Sequence, residues 1–483
     1  MLAPNISKFF VACLACLLIL SIGDANGADE TEFEAIFREA TEQNKAEAQH
    51  QLGMCYFDGK GVAEDKKEAI NWMRKAAGQN HVDAQYQLFQ WALEGIVAPN
   101  DQAEMMQWLI AAGKSGHIDA QMELSMRYRM GLGVERNDKE ATNWLRQAAD
   151  QGRVPAQYEL AMCYRDGKGI DRNDKEAVNW FHKSAEQGHV ESQHELAVMH
   201  HHGRGVKQDH SEAAGWYRKA AEQRYILAQY ELGFVYRDGR GVAKDLAEAA
   251  EWFRKAGEQG HANSQHELAM MYRYGNGVSQ DHEKSVEWFR KAAMQNSAGA
   301  QYELGMSYLE GKGVAEDKEE AIKWFYKSSE RDHHEAHYQL YKFYRANVVV
   351  PTDNVEKARW VLSAAWRGHI EAQIEIGKFF YRGQGVRQDW EQAIAWYRRA
   401  AEKWSAEAQY QIGICYFVGH CVNRDDSEAV EWFRKSAEQG YARGQYMLGK
   451  CYAEGWGVPV DEEESTKWFY FAAEQGIDGE TVE

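Results

Sequence analysis

Residues 156–191 read AQYELAMCYRDGKGIDRNDKEAVNWFHKSAEQGHVE. Counting Ala156 as unit position 1, the apolar residues Ala156, Leu160 and Tyr164 fall at positions 1, 5 and 9. That spacing lays one stripe along a helix. Gly167 at position 12 supplies the left-handed stop that residues with a Cβ resist. A short loop leads to Asn173 at position 18, a good N-cap for a second helix. The second helix places its apolar side at positions 22, 25, 26, 29 and 30, as in Ala249, Trp252, Phe253, Ala256 and Gly257. Those offsets are i, i+3, i+4, i+7 and i+8 of an amphipathic helix.

The same phrase begins at Ala48, Ala84, Ala120, Ala156, Ser192, Ala228, Ser264, Ala300, Ala336, Ala372, Ala408 and Gly444, every step being 36 residues. A strict period in the range of 20–50 residues denotes stacked supersecondary units. The reading is an all-α chain, a right-handed α/α superhelical solenoid of twelve 36-residue helix–loop–helix repeats over 48–479, followed by a tail, 480–483. Position 12 is Gly in eleven units, and position 18 is Asp in ten and Asn in two, Asn137 and Asn173. Position 25 is Trp in all twelve, from Trp72 to Trp468. A Trp row on a helical stripe among Ala and Phe reads as packing, and Trp252→Ala is expected to cost ~3–5 kcal/mol. On the outer face, Glu251 with Lys255 and Glu287 with Lys291 are i, i+4 charge pairs. Residues 28–47 match the second half of a unit, with Phe33, Ile36, Phe37 and Ala40 as the apolar stripe of an N-terminal capping helix.

With 483 residues the chain would ordinarily divide into about three domains, but the period replaces that division with one quasi-linear array. Its net charge of −18 offers no broad cationic face to phosphate, which excludes a general nucleic-acid binder. Residues 1–27 read as a signal peptide: Lys8, an apolar run from Phe9 to Ile22 too short to span a bilayer, then Ala25-Asn26-Gly27 with small residues at the cleavage positions. The alternative is an uncleaved anchor. The mature chain keeps Cys55, Cys163, Cys415, Cys421 and Cys451, an odd number that leaves a thiol unpaired or paired between molecules. Four of them occupy position 8 in different units, roughly 10 Å apart if neighbouring helices pack normally, which is beyond disulfide reach. Cys415 with Cys421 is the one local pair.

The unit Ala-x-Tyr-x-Leu-Gly-x-x-Tyr-x-x-Gly-x-Gly-Val-x-x-Asp…Ala-x-x-Trp-Phe-x-Lys-Ala-Ala-Glu-x-Gly resembles the Sel-one-like repeat (SLR) family, a subclass of tetratricopeptide-like solenoids. The resemblance covers 48–479. It implies an adaptor or scaffold, in bacteria often exported, in eukaryotes including a lumenal quality-control adaptor. Some cysteine-rich members carry a disulfide in each unit and a link to β-lactam binding. Their cysteine positions hold residues such as Gln157 and Ala149 here, which weakens an enzyme reading.

By the same resemblance, the first helices line the inner surface, with positions 3, 7, 10 and 11 facing a groove. Position 3 gives an aromatic or His row that includes His194, Tyr158, Tyr230 and Tyr302. Position 7 is often Met, as in Met126, Met162 and Met270. Position 10 reads Arg129, Arg165, His201, Arg237 and Arg273 in five successive units. Tyr, Arg and Met suit capture of a protein or peptide segment, and the Arg row would favour carboxylates. Arg near a helix C-terminus also complements the dipole, and Asp166 and Asp238 stand ready to neutralise neighbours. The expectation is a partner-binding groove with no cofactor, no metal and no stable membrane span once the signal is cleaved. The chain is expected in the periplasm or secreted, with a eukaryotic secretory lumen as the alternative. The rival functions are a cell-wall or β-lactam hydrolase and a glycan- or polysaccharide-assembly protein.

Other motifs carry less. The Gly-x-Gly loops recur every unit without a following Lys-Ser/Thr, so they read as turns rather than phosphate cradles. His333 and His337 are i, i+4, but they straddle an inter-helix turn with no third ligand evident. Unit nine replaces its loop glycines with Asn347 and Val349, either as drift or as a contact point exposing Val348 to Val350, and the second unit has Val97 for its second Gly.

Overall fold

The computed structural model describes residues 27–97 and 102–477. The expected signal segment before Gly27 and the tail 480–483 lie outside them. Among the described residues there are 25 α-helices and no strands, and helices adjacent in sequence pack on one another, as Ala46–Asp58 does on Lys66–Gly78. The chain forms two compact units, Met1–Asp245 and Leu246–Glu483. Within each, the helix pair of one repeat stacks on the next, as Val154–Asp166 with Asp174–Glu186 does in the first and Ala298–Glu310 with Lys318–Ser329 does in the second.

The helix ends follow the residues that the period supplies. Gly167 takes φ +69° and its N–H bonds the Cys163 carbonyl, closing the first helix. Asn173 accepts from the backbone N–H groups of Lys175 and Glu176, opening the second. Asp65, Asp209, Asp425 and Asp461 cap in the same way. The second loop glycine has a different task. A Cβ on Gly205 would lie well under 3.0 Å from the carbonyl oxygen of Asp174, at the start of the preceding repeat's second helix. Gly169, Gly313, Gly385 and Gly457 make the same approach to Asp138, His282, Asn354 and Asp426. This seat is therefore a contact between repeats.

Packing runs between repeats as well. Trp144, Trp180, Trp216, Trp288 and Trp324 are each at most 9% exposed, and Trp360 is fully buried. Trp288 lies against Gly257 of the preceding repeat, where an added Cβ would sit 3.3 Å from the indole. A Lys one turn on covers the ring: Lys183 Nζ stands 3.7 Å from the Trp180 ring centre, and Lys291 stands 3.8 Å from Trp288. Each such cation–π contact is worth about 0.5–1 kcal/mol at an exposed site.

A polar ladder joins the apolar one. Gln at position 2 is buried in eleven repeats. Gln157 Nε2 donates to the Ala149 carbonyl of the preceding repeat at 3.3 Å, and its Oε1 accepts from Gln187 Nε2 at 2.8 Å. Gln49 with Gln79, Gln121 with Gln151, Gln193 with Gln223, Gln265 with Gln295, Gln409 with Gln439 and Gln445 with Gln475 repeat that amide pair at 2.6–2.9 Å. Gln85, Gln301 and Gln373 leave Oε1 buried without a partner. In their repeats the donor position holds Ser115, Arg331 and Lys403 instead of Gln.

The helix Gly27–Glu42 buries Phe33 and Ala40 against Ala48, Leu52 and Trp72. The ninth repeat keeps its helix pair, His334–Arg345 and Asn354–Trp366. Val349 turns into its core at 8% exposure, while Val348 and Val350 are exposed. Val97 in the second repeat is buried at the same seat. No described helix is long and apolar enough to cross a membrane.

Candidate functional site: the first-helix face of the third and fourth repeats

The first helices carry every residue of the expected binding row, so their partners decide what that face can do. Arg129 Nη1 bonds Glu159 Oε2 at 3.1 Å, and Arg165 Nη1 bonds Glu195 Oε2 at 2.8 Å. Arg273 is 7% exposed and is bonded to Glu303. Each arginine reaches the position-4 Glu of the next repeat. Arg165 also bonds Asp166 at 2.8 Å, and Arg237 bonds Asp238 at 2.9 Å. Arg165 holds the Asp166 carboxyl below the usual carboxylate range. Burial pushes the Glu303 carboxyl up, with Arg273 opposing. Arg129, Arg165 and Arg273 thus bind repeat to repeat, and His201 breaks the row. Its half-buried ring packs against His202 and His210, each 4.9 Å between ring centres, and burial pushes its pKa down.

The aromatic row is also paired. Tyr158 meets His189 at 4.8 Å, Tyr302 meets His333 at 4.9 Å and His194 meets Tyr225 at 5.3 Å between ring centres. Tyr230 meets Phe234 edge-on at 4.8 Å. Burial raises the Tyr158 and Tyr302 phenols. These rings are half-buried. The position-34 imidazoles do a second job: His189 and His333 accept the N–H of Ser192 and Ala336 at Nδ1, capping the next first helix. The sequence expectations assigned these histidines no capping role.

That capping bears on metals. Glu47, His50 and His81 bring three ligand atoms within 4.8 Å of one another. His81 Nδ1 accepts the Ala84 N–H at 3.2 Å, so Nε2 carries the proton it shares with Glu47 at 2.8 Å. Ligation through Nε2 would move that proton to Nδ1 and remove the cap. The donor set therefore serves the helix start. His337 is 5% exposed, with burial as the main cause of a pKa pushed down to about 4. His333 is committed to its cap, so the two do not form a chelating pair.

The face carries a cavity in the third and fourth repeats. A cavity of about 450 Å³ is lined by Arg129, Arg136, Asp138, Thr142, Tyr158, Glu159, Met162, Cys163, Asp166 and Lys168. Its volume lies within the range of ligand pockets. Three expected site residues meet there: Arg129, Tyr158 and Met162. Arg136 grips Asp138 through two bonds, at 3.2 and 3.0 Å, and Lys168 stands 3.6 Å from Asp166. The charged lining residues pair as Arg129 with Glu159, Arg136 with Asp138 and Lys168 with Asp166, and Tyr158, Met162 and the buried Cys163 supply apolar surface. Such a site takes an apolar or aromatic side chain while the flanking backbone meets the charged rim. Met126 is 38% exposed on the neighbouring first helix. Met270 is half-buried in the second compact unit, as is Tyr302, and Tyr230 and Arg237 lie on Ile226–Asp238; none of these four lines the cavity.

The Sel1 repeat family model matches residues 46–81, 82–117, 118–152, 154–189, 190–225, 226–261, 262–297, 298–333, 370–403, 406–441 and 442–477. The ninth repeat, with its altered loop, is left unmatched. No curated protein matches the chain. Among solved structures it is similar to c5321, a protective antigen of uropathogenic Escherichia coli strains displaying an SLR fold. That match has 31% identity over 93% of this chain and 91% of that one, with a TM-score of 0.61. It is also similar to a Sel1 repeat protein from Oxalobacter formigenes, at 31% identity over 68% of this chain and 92% of that one, with a TM-score of 0.51. Eleven matched repeats, helix pairs in the same register and neighbours of the same fold lead to one conclusion: the chain belongs to the Sel1 repeat family and is an SLR α/α solenoid.

Proposed function

We propose that this solenoid is an exported, non-enzymatic scaffold that recognises a segment of a partner protein on its first-helix face. The cavity between the third and fourth repeats receives one apolar anchor of that segment. The observation that carries this reading is the juxtaposition of Tyr158 and Met162 in one cavity with lining charges that are paired with one another. A paired rim attracts neither a bare phosphate nor a bare carboxylate. It tolerates a polar peptide backbone around a buried side chain, the arrangement of an interface anchor. Asp166 is held ionised by Arg165 and so is unsuited to general-acid work. The similarity to an SLR protein described as a protective antigen supports an exported location.

A photo-crosslinking residue at Met162 tests the reading in the native host. Capture of one discrete protein there, but not from a probe at Glu176 on the second helix, is the expected result. Equal capture from both positions, or none from Met162, would count against it. Turnover of nitrocefin or peptidoglycan by the purified chain would count for the hydrolase instead.

A further inference from the structure

We propose that Cys415 and Cys421 form a reversible disulfide that staples the loop of the eleventh repeat to its first helix. Their Sγ atoms lie 2.8 Å apart as thiols. Non-bonded carbon contacts settle roughly 3.5–4.0 Å apart. A disulfide requires closure to about 2.05 Å, a movement that side-chain rotation can supply.

The sequence position explains why the pair exists only here. The second loop seat is Gly wherever the loop crosses a neighbouring carbonyl. Cys421 occupies that seat in the eleventh repeat, and its φ is not positive. The loop there turns the side chain inward, as it does for Val97 and Val349, and Cys421 is 8% exposed. Position 8 of the same repeat is Cys415, at 1% exposure. Cys55, Cys163 and Cys451 occupy position 8 in other repeats, but they face Gly61, Gly169 and Gly457 at the loop seat and have no second sulfur opposite.

The reaction is a two-electron exchange with a disulfide donor of the oxidised-glutathione type. The more exposed Cys421 loses its proton and attacks a donor sulfur, releasing one thiol. Cys415 then loses its proton and displaces the second, so two protons and two electrons leave as two donor thiols. The hydrogen bond that Cys415 donates favours the Cys421 thiolate, while burial opposes it. The bond would also fix His420, which stacks on Trp390 of the preceding repeat at 5.0 Å and meets the Tyr381 hydroxyl at 3.2 Å.

The test equilibrates the full chain with oxidised glutathione, alkylates it in denaturant and maps tryptic peptides. Both cysteines fall in the peptide 404–424. The expected product is that peptide, unalkylated, ~2 Da lighter than its dithiol and recovering two labels after reduction. Cys163 should remain alkylatable, and Cys421→Ser should leave Cys415 alkylatable. Two labels on the wild-type peptide after oxidation would overturn the proposal, as would a persistent glutathione adduct on Cys421.

Discussion

Replacing Arg331 with Gln should strengthen the eighth repeat. Gln301 is 2% exposed, and its Nε2 already donates to the Ala293 carbonyl at 3.1 Å. Its Oε1 has no partner because the donor seat holds Arg331, an exposed side chain. In the preceding repeat Gln295 fills the equivalent seat and donates to Gln265 Oε1 at 2.8 Å. An unsatisfied buried acceptor costs about 1–3 kcal/mol, and a neutral hydrogen bond nets about 0.5–1.5 kcal/mol. Ordering the new amide opposes this with up to about 1.5–2 kcal/mol of side-chain entropy. Arg331→Gln should therefore gain about 1 kcal/mol, local to this repeat because a solenoid sums nearest-neighbour terms. Hydrogen exchange of the helix Ala298–Glu310 reads it directly. Opening should become roughly fivefold rarer in that helix and be unchanged in Val154–Asp166. The converse variant, Gln187→Ala, orphans Gln157 Oε1 and should cost about 1–3 kcal/mol. Unchanged or faster exchange in Arg331→Gln, or a neutral Gln187→Ala, would refute the view that the buried amide pair stabilises each repeat.

Other consequences follow from the same contacts. Gly205→Ala should destabilise by more than the roughly 1–2 kcal/mol of left-handed strain alone, because its Cβ meets the Asp174 carbonyl; Gly188→Ala, with nothing within 4 Å, should cost the strain only, and urea titration separates them. Trp288→Ala should cost ~3–5 kcal/mol in chemical denaturation, while Lys291→Ala should cost under about 1 kcal/mol. His337 has a folded pKa near 4, below its unfolded value, so the stability it contributes is present above pH 6.5 and lost as pH falls towards 4. The loss is roughly 3 kcal/mol at most, and His337→Gln should flatten that part of the pH–stability curve.

The fold was legible because its determinants repeat locally. Gly at position 12 and Asp or Asn at position 18 dictate helix ends through their own backbone and side-chain geometry. The Trp stripe announces burial by its helical spacing. What escaped reading lies in pairs some 30 residues apart. Gln at position 2 sits on a buried face, yet a polar residue in an apolar stripe gives no local clue that the donor to its Oε1 is 30 residues ahead. Ser115, Arg331 and Lys403 are substitutions in one ladder, visible only once Gln157 and Gln187 are seen to touch. The arginine pairs escaped for a related reason. Glu159, Glu195 and Glu303 stand 30 residues after Arg129, Arg165 and Arg273, and that matched register was the available signal for inter-repeat pairing. The cavity drew on both levels: Tyr158, Met162 and Arg129 came from the groove positions of the first helices, while Arg136, Asp138 and Lys168 come from the intervening loops and a helix start.

The most direct test of the binding account uses peptides selected by display against the purified full chain, with affinities measured by fluorescence anisotropy. Tyr158→Ala combined with Met162→Ala should weaken binding by tenfold or more, about 1.4 kcal/mol or greater. Circular dichroism should show the helices intact, since both side chains are half-buried. Exchange protection by the peptide should fall on Ile118–Met130 and Val154–Asp166. Undiminished affinity in the double variant, with protection elsewhere, would contradict the account.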